Sequence, residues 1–202
     1  IAIIYVLFVY ASCSKNGDCI TQRYSFSTGI KAYPDNDSIN INDTIWLDFS
    51  CPTRLVDLNT GGLIEYSGAE NLGTSIDFLE FTGGSITNPG AIAAVNSFEY
   101  KLIHGIFIPD DHLPEKNRDY KFTQFNSEYK FKLGIIPKRT GVFAITPGDA
   151  SNVYRNNDYC TKASFSITFS NTNQHIYYYQ QNRPGYVPSG YELTHMYCFN
   201  VK

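Results

Sequence analysis

Apolar and polar residues alternate along most of this chain, with the period of two that belongs to half-buried strands. The clearest case is Ile45, Leu47 and Phe49, which share one face and follow an Asn42-Asp43 turn. A weaker alternation over Arg23 to Lys31 predicts a first strand, and Tyr33-Pro34-Asp35-Asn36-Asp37 predicts the turn after it. Thr74 to Phe81 reads as another strand, and Phe98 to Ile108 as one long strand or a pair. Tyr120 to Ile136 places Tyr129, Phe131 and Leu133 on one face. Thr140 to Thr146, 160 to 170, 175 to 179 and 191 to 201 bring the expected total to about ten strands. Gly83-Gly84 and Asn88-Pro89-Gly90 punctuate the middle, and Ala91 to Val95 is the one place where a short helical turn is predicted. Many short strands separated by turn residues point to an all-β fold, a sandwich or barrel rather than alternating strands and helices. The fold class expected is an antiparallel β-sandwich over residues 23–202. If the chain were two small sandwiches, the split would fall near Gly83 to Gly90.

The first twelve residues, IAIIYVLFVYAS, break the alternation: they carry no charge and almost no polar group. A membrane-spanning helix needs about 20 such residues, whereas a signal-peptide apolar region needs roughly 7 to 15. Residues 1–12 are therefore expected to be a signal peptide, truncated at its start because no initial Met or basic leader precedes it. Tyr10-Ala11-Ser12-Cys13 resembles a bacterial lipobox, with small residues before a Cys at the end of the apolar run and Tyr10 where Leu is usual. The resemblance implies that Cys13 is lipidated on its thiol and becomes the mature N-terminus, so that the membrane is a partner through the lipid. Ser14 resembles the residue found in lipoproteins sorted to the outer membrane, and residues 13–22 then form a short polar tether. The chain as a whole is similar to small β-sandwich lipoproteins of Bacteroidota-type bacteria. The Ser38 to Phe49 stretch resembles the second strand region of immunoglobulin-like sandwiches.

Five cysteines are present. With Cys13 assigned to the lipid, Cys19, Cys51, Cys160 and Cys198 remain, and an even remainder in an exported chain suggests disulfides. Three connectivities are open; Cys19–Cys51 with Cys160–Cys198 is favoured. Strand parity supports the second pair: Ala163, Phe165, Ile167 and Phe169 share one face with Cys160 opposite, and Leu193, Tyr197, Phe199 and Val201 share another with Cys198 opposite.

Composition narrows the function without naming it. Aromatics are 15% of the 202 residues, charged residues 17%, and the formal net charge is -3. That balance argues against nucleic acid, which requires clustered cations. The nearest cluster, Lys130, Lys132, Lys138 and Arg139, reads as a solvated face. Ser127-Glu128-Tyr129-Lys130 matches S-x-x-K by letter, but on a strand the Ser and Lys point to opposite faces. His104, His112, His175 and His195 have no metal-ligand spacing, and Asp110-Asp111-His112 reads as a solvated loop. Asp35-Asn36-Asp37 resembles the opening of a Ca²⁺ loop, but Ile39 falls where a further oxygen ligand belongs, and a turn is the better reading. No catalytic residue, metal site or cofactor is expected, and the favoured function is a lipid-anchored binding or structural module of the cell envelope. The most suggestive segment is Gln174 to Tyr191, rich in Tyr with two Pro and two Gly. Tyr presents a broad contact face at low entropic cost, so Tyr177, Tyr179, Tyr186 and Tyr191 are the candidate ligand-binding residues, for a glycan or an envelope protein.

Overall fold

The computed structural model describes residues 22–83, 90–109, 115–156, 158–185 and 187–202. The signal-peptide, lipidation and tether assignments before Gln22, together with Cys13, Cys19, Asp110, Asp111, His112 and Tyr186, lie outside the described residues.

The described chain opens with β1 (Gln22–Tyr33), β2 (Ser38–Ile39), β3 (Ile45–Pro52), β4 (Arg54–Val56) and β5 (Leu63–Glu65). The middle holds β6 (Gly73–Phe81), β7 (Ala91–Ala93), β8 (Phe98–His104), β9 (Ile106–Ile108), β10 (Asn117–Lys121) and β11 (Thr123–Phe125). Then come β12 (Glu128–Pro137), β13 (Gly141–Pro147), β14 (Ala150–Arg155), β15 (Asp158–Phe169), two short helices α1 (Tyr177–Asn182) and α2 (Gly190–His195), and β16 (Tyr197–Val201). Strands lie where 23–31, 45–49, 74–81, 98–108, 140–146 and 160–170 are expected, with outer boundaries moved by one to three residues, while the expected 120–136 run is split into β10, β11 and β12. The total exceeds ten because turns divide some of them, as Gly105 divides β8 from β9, and because β4, β5, β7 and β14 fall where no strand is expected.

Two seven-stranded sheets form. Sheet I runs β11-β12-β3-β1-β15-β14, with β8 also on β12; sheet II runs β2-β16-β13-β6-β10-β9, with β7 also on β6. They face one another across one continuous core. Sheet I contributes Leu47, Phe49, Phe131, Leu133, Phe165 and Ile167, and sheet II contributes Ile76, Phe78, Phe143, Ile145, Tyr197 and Phe199, all buried. This is the all-β sandwich that the alternation predicts, and each fully buried apolar side chain contributes about 1.5–3 kcal/mol. Aromatic rings join the sheets: Phe98 meets Phe143 edge-on with centroids 4.9 Å apart. The buried tyrosines are satisfied, as burial demands. The Tyr129 hydroxyl accepts from the Ala69 N–H and donates to the Tyr66 carbonyl, while the Tyr66 hydroxyl donates to the Val153 carbonyl.

Several expectations are corrected. The sandwich is not wholly antiparallel, since β1 pairs with β15 and β2 with β16 in parallel. Residues 177–179 and 191–195 lie in α1 and α2 instead of strands. Pro184, Gly185 and Pro188 break the extended run, and Ser189 and Glu192 close a reciprocal capping box that nucleates α2. Ala91–Ala93 is strand β7, and the helical turn falls later, as a 3₁₀ turn at Val95–Ser97.

The disulfide assignments fail for a topological reason. Cys51 and Cys198 are both free and buried. Cys51 lies on β3 of sheet I among the core side chains, and Cys198 lies on β16 of sheet II, turned outward beneath α1 with Phe81, Ala144, Tyr179 and Met196. Cys160 is disulfide-bonded but belongs to sheet I, so parity placed Cys198 on the correct face while the opposite sheet put it out of reach. Neither Cys19–Cys51 nor Cys160–Cys198 forms.

Candidate functional site

The outer face of sheet II is divided in two. Over β13 and β16 it is apolar, with Ala144 and Cys198 covered by Tyr179 of α1 and by Met196. Toward β6, β10 and β9 the same face turns polar. Ser75 and Asp77 on β6 stand opposite Asp119 and Asn117 on β10. A cleft of about 460 Å³ opens there. Ser75, Asp119, Lys121 and Ile108 come from the sheet, Glu70 and Asn71 from the preceding loop, and Asp149 and Ser151 from the chain around the start of β14.

The chain builds this cleft with close approaches and local caps. At its floor β6 comes so near β10 that a Cβ on Gly73 would stand 2.1 Å from the Tyr120 carbonyl oxygen. Asn71 fixes the rim, its Oδ1 accepting from the Tyr154 N–H at 3.1 Å. Asp149 Oδ1 accepts from the Ile167 N–H at 2.8 Å and lies 3.2 Å from His195 Nε2. His195 Nδ1 lies 3.0 Å from the Tyr191 carbonyl, and the Tyr191 ring stacks on the imidazole with centroids 3.8 Å apart. One ring face of Tyr191 is thus spent on His195, while the residue stays 50% exposed.

Electrostatically the cleft is acidic, with Glu70, Asp119 and Asp149 against Lys121. Burial pushes the Asp77 carboxyl above its ordinary value, against the pull of Lys116 at 3.7 Å. The Tyr191 hydroxyl is raised by burial, with Asp149 and Asp77 adding to it. Two acceptors stand out: Asp119 Oδ1 and Asn117 Oδ1 are buried, and no group among the described residues donates to either. A buried acceptor left so costs about 1–3 kcal/mol, and of the two residues Asp119 lines the cleft.

The expected site residues scatter. Tyr179 is 3% exposed, its hydroxyl bonded to Glu192, and it serves packing. The Tyr177 hydroxyl donates to Asp37 Oδ2 at 2.7 Å and ties α1 to the turn after β1. Tyr191 alone of the described candidates stands beside a cavity residue. His104 is exposed on β8, while His175 is buried with Nε2 3.4 Å from Asp35 Oδ1. Asp35-Asn36-Asp37 is a turn, with Asp35 3.4 Å from the Tyr197 hydroxyl. Ser127 sits in the β11–β12 turn and Lys130 pairs with Glu128 at 3.0 Å. Lys132 pairs with Asp48 and Arg139 with Glu80, so the basic cluster is largely neutralised where it stands. Among the described residues no three His, Cys, Asp or Glu are grouped to hold a metal ion, and no helix is long and apolar enough to cross a membrane.

No family model and no curated protein matches the chain. Among solved structures the chain is similar to the CupB6 tip adhesin from Pseudomonas aeruginosa, at 11% identity and a TM-score of 0.22. That match covers 77% of this chain and 43% of the adhesin, so the chain spans less than half of that protein.

Proposed function

We propose that this chain is a recognition module of the bacterial cell envelope that takes a polyhydroxylated ligand, a glycan, in the sheet II cleft. The observation that carries the reading is the buried Asp119 Oδ1, which lacks a donor among the described residues and belongs to a cleft rich in acceptors. Sugar hydroxyls supply donors, Ile108 offers an apolar wall, and the exposed side of Tyr191 offers a ring at the margin. A rigid sheet with loops at its rim suits this task, because ordered side chains lose little entropy on binding.

The proposal includes the address. Cys13 carries the lipid and holds the sandwich at the membrane through the tether, since two or more acyl chains anchor stably where one does not. Intact mass of the membrane fraction, beside a Cys13→Ala variant, tests this. Cleavage before Cys13 with added acyl mass, lost in the variant, is expected; an unmodified Cys13 contradicts it.

The cleft is tested by a glycan array, followed by calorimetry of the bound oligosaccharide against an Asp119→Ala variant. A loss of tenfold or more in affinity is expected, about 1.4 kcal/mol. Equal affinity of the variant removes the cleft from the reading.

A further inference from the structure

The outer face of sheet I carries a second cavity that the sheet II reading does not use. It measures about 500 Å³ and is lined by Gly29, Lys31, Tyr33, Asp48, Ser50 and Ser170. Cross-strand register explains its make-up. Tyr33 pairs with Trp46 and Trp46 with Gly134, forming one row; Lys31 pairs with Asp48 and Asp48 with Lys132, forming the next. The face therefore sets two aromatic rings beside a cation–anion–cation row.

Trp46 is seated by its neighbour. A Cβ on Gly134 would fall 2.9 Å from Trp46 Cζ3 and 3.2 Å from Cη2, so the six-membered ring lies across the glycine and no side chain lifts it from the sheet. The charges are distributed unequally. Lys132 is committed: its Nζ lies 3.2 Å from Asp48 Oδ2 and sits 5.2 Å from the Tyr33 ring centroid and 5.6 Å from that of Trp46. Asp48 is spent on Lys132 and on the Tyr33 hydroxyl at 3.4 Å. Lys31 is exposed and has no ion pair or side-chain hydrogen bond among the described residues. The cavity thus offers the Tyr33 ring together with one uncommitted cation, with Trp46 beside Tyr33 in the neighbouring row position.

We propose that this face binds a carboxylate-bearing saccharide, its sugar ring laid against Tyr33, next to Trp46, and its carboxylate on Lys31. Charge complementarity selects the anion: two lysines against one aspartate leave the row positive, and the cation without a partner is the one that lines the cavity. Stacking selects a ring over a simple ion, because a free carboxylate would gain nothing from the Tyr33 ring. This site is independent of the sheet II cleft, and either one stands if the other fails.

Trp46 is the single tryptophan of the chain, so intrinsic fluorescence reads this site directly. Titration of the purified protein with an oligogalacturonate is expected to give a saturable change in Trp46 emission that weakens with added salt. Lys31→Ala is expected to weaken it tenfold or more and Tyr33→Ala by a smaller factor, whereas Asp119→Ala in the other cleft leaves it unchanged. A neutral oligosaccharide of the same length is expected to give no change. No saturable response at millimolar oligogalacturonate, equal binding of the neutral sugar, or undiminished binding by Lys31→Ala would each overturn the proposal. Inorganic phosphate producing the same response would show an anion site without sugar recognition, and would overturn it too.

Discussion

Asp57 shows how much a single polar residue holds here. It lies in the loop after β4, buried, and its Oδ1 accepts from the Ser25 N–H of β1 at 2.9 Å while Oδ2 accepts from the Thr60 hydroxyl at 2.7 Å. The Ser25 N–H is the main cause that keeps its carboxyl below the ordinary value, and the bonds from Thr60 and Asn59 add to it. A native pKa below the unfolded one means that the unfolded chain binds the extra proton. The stabilisation is therefore complete above the ordinary carboxylate range and disappears as pH falls through the native value. Asp57→Ala is expected to lower Tm most at neutral pH, with the gap to the parent closing below about pH 4. A gap independent of pH would contradict this. At this scale the sequence was readable in parity but not in partners. It placed Phe165 and Ile167 in the core and Cys198 away from it, yet whether Tyr177, Tyr179 or Tyr191 ends on Asp37, Glu192 or His195 depends on neighbours from elsewhere in the chain.

Among elements, the β6–β10 pair decides whether the cleft exists. Gly73 is opposite Lys121 in that ladder, and its Cα faces the Tyr120 carbonyl so closely that no side chain fits. Gly73→Ala is expected to cost about 3 kcal/mol by forcing the strands apart, read as a lowered urea midpoint with an unchanged slope. A loss below about 1 kcal/mol would show that β10 shifts freely. Long alternating strands were legible because a buried face leaves alternation only one solution, whereas β14, with only Ala150 and Val153 buried, was not legible. Legibility failed at α1 and α2, where the β-prone run Tyr177-Tyr178-Tyr179 and the Tyr191–Leu193 spacing imitate strands. The Ser189–Glu192 spacing is the capping-box signal that marks α2 in advance. The parallel β1–β15 pairing was not legible, because register between strands over a hundred residues apart leaves no local trace.

For the whole molecule, the two sheets are joined by aromatic packing, with no bond between Cys160 of sheet I and Cys198 of sheet II. Burial pushes the Cys51 thiol up to about 12, with Glu128 adding to it, and burial raises Cys198 as well. Thiolate is the reactive form, so both cysteines are expected to resist iodoacetamide at pH 8 in the native protein and to react in guanidinium. Native labelling of either would contradict the packing. The cleft itself was invisible in the sequence. Glu70 and Ser75, Asp119, and Asp149 come from three separate segments and meet only when sheet II closes, and none belongs to a motif. Of the tyrosine-rich segment, Tyr191 stacks on His195, and His195 lies 3.2 Å from Asp149 of the cleft.

The central claim, that the sheet II cleft is the recognition surface, is tested most directly by mapping amide shifts while the protein is titrated with a glycan selected on the array. The account predicts that Ser75, Asp119, Lys121, Asp149 and Ser151 shift together and saturate at one affinity, and that Asp119→Ala weakens that affinity tenfold or more. Saturable shifts confined to other surfaces, or a protein that retains no glycan at all, would contradict it.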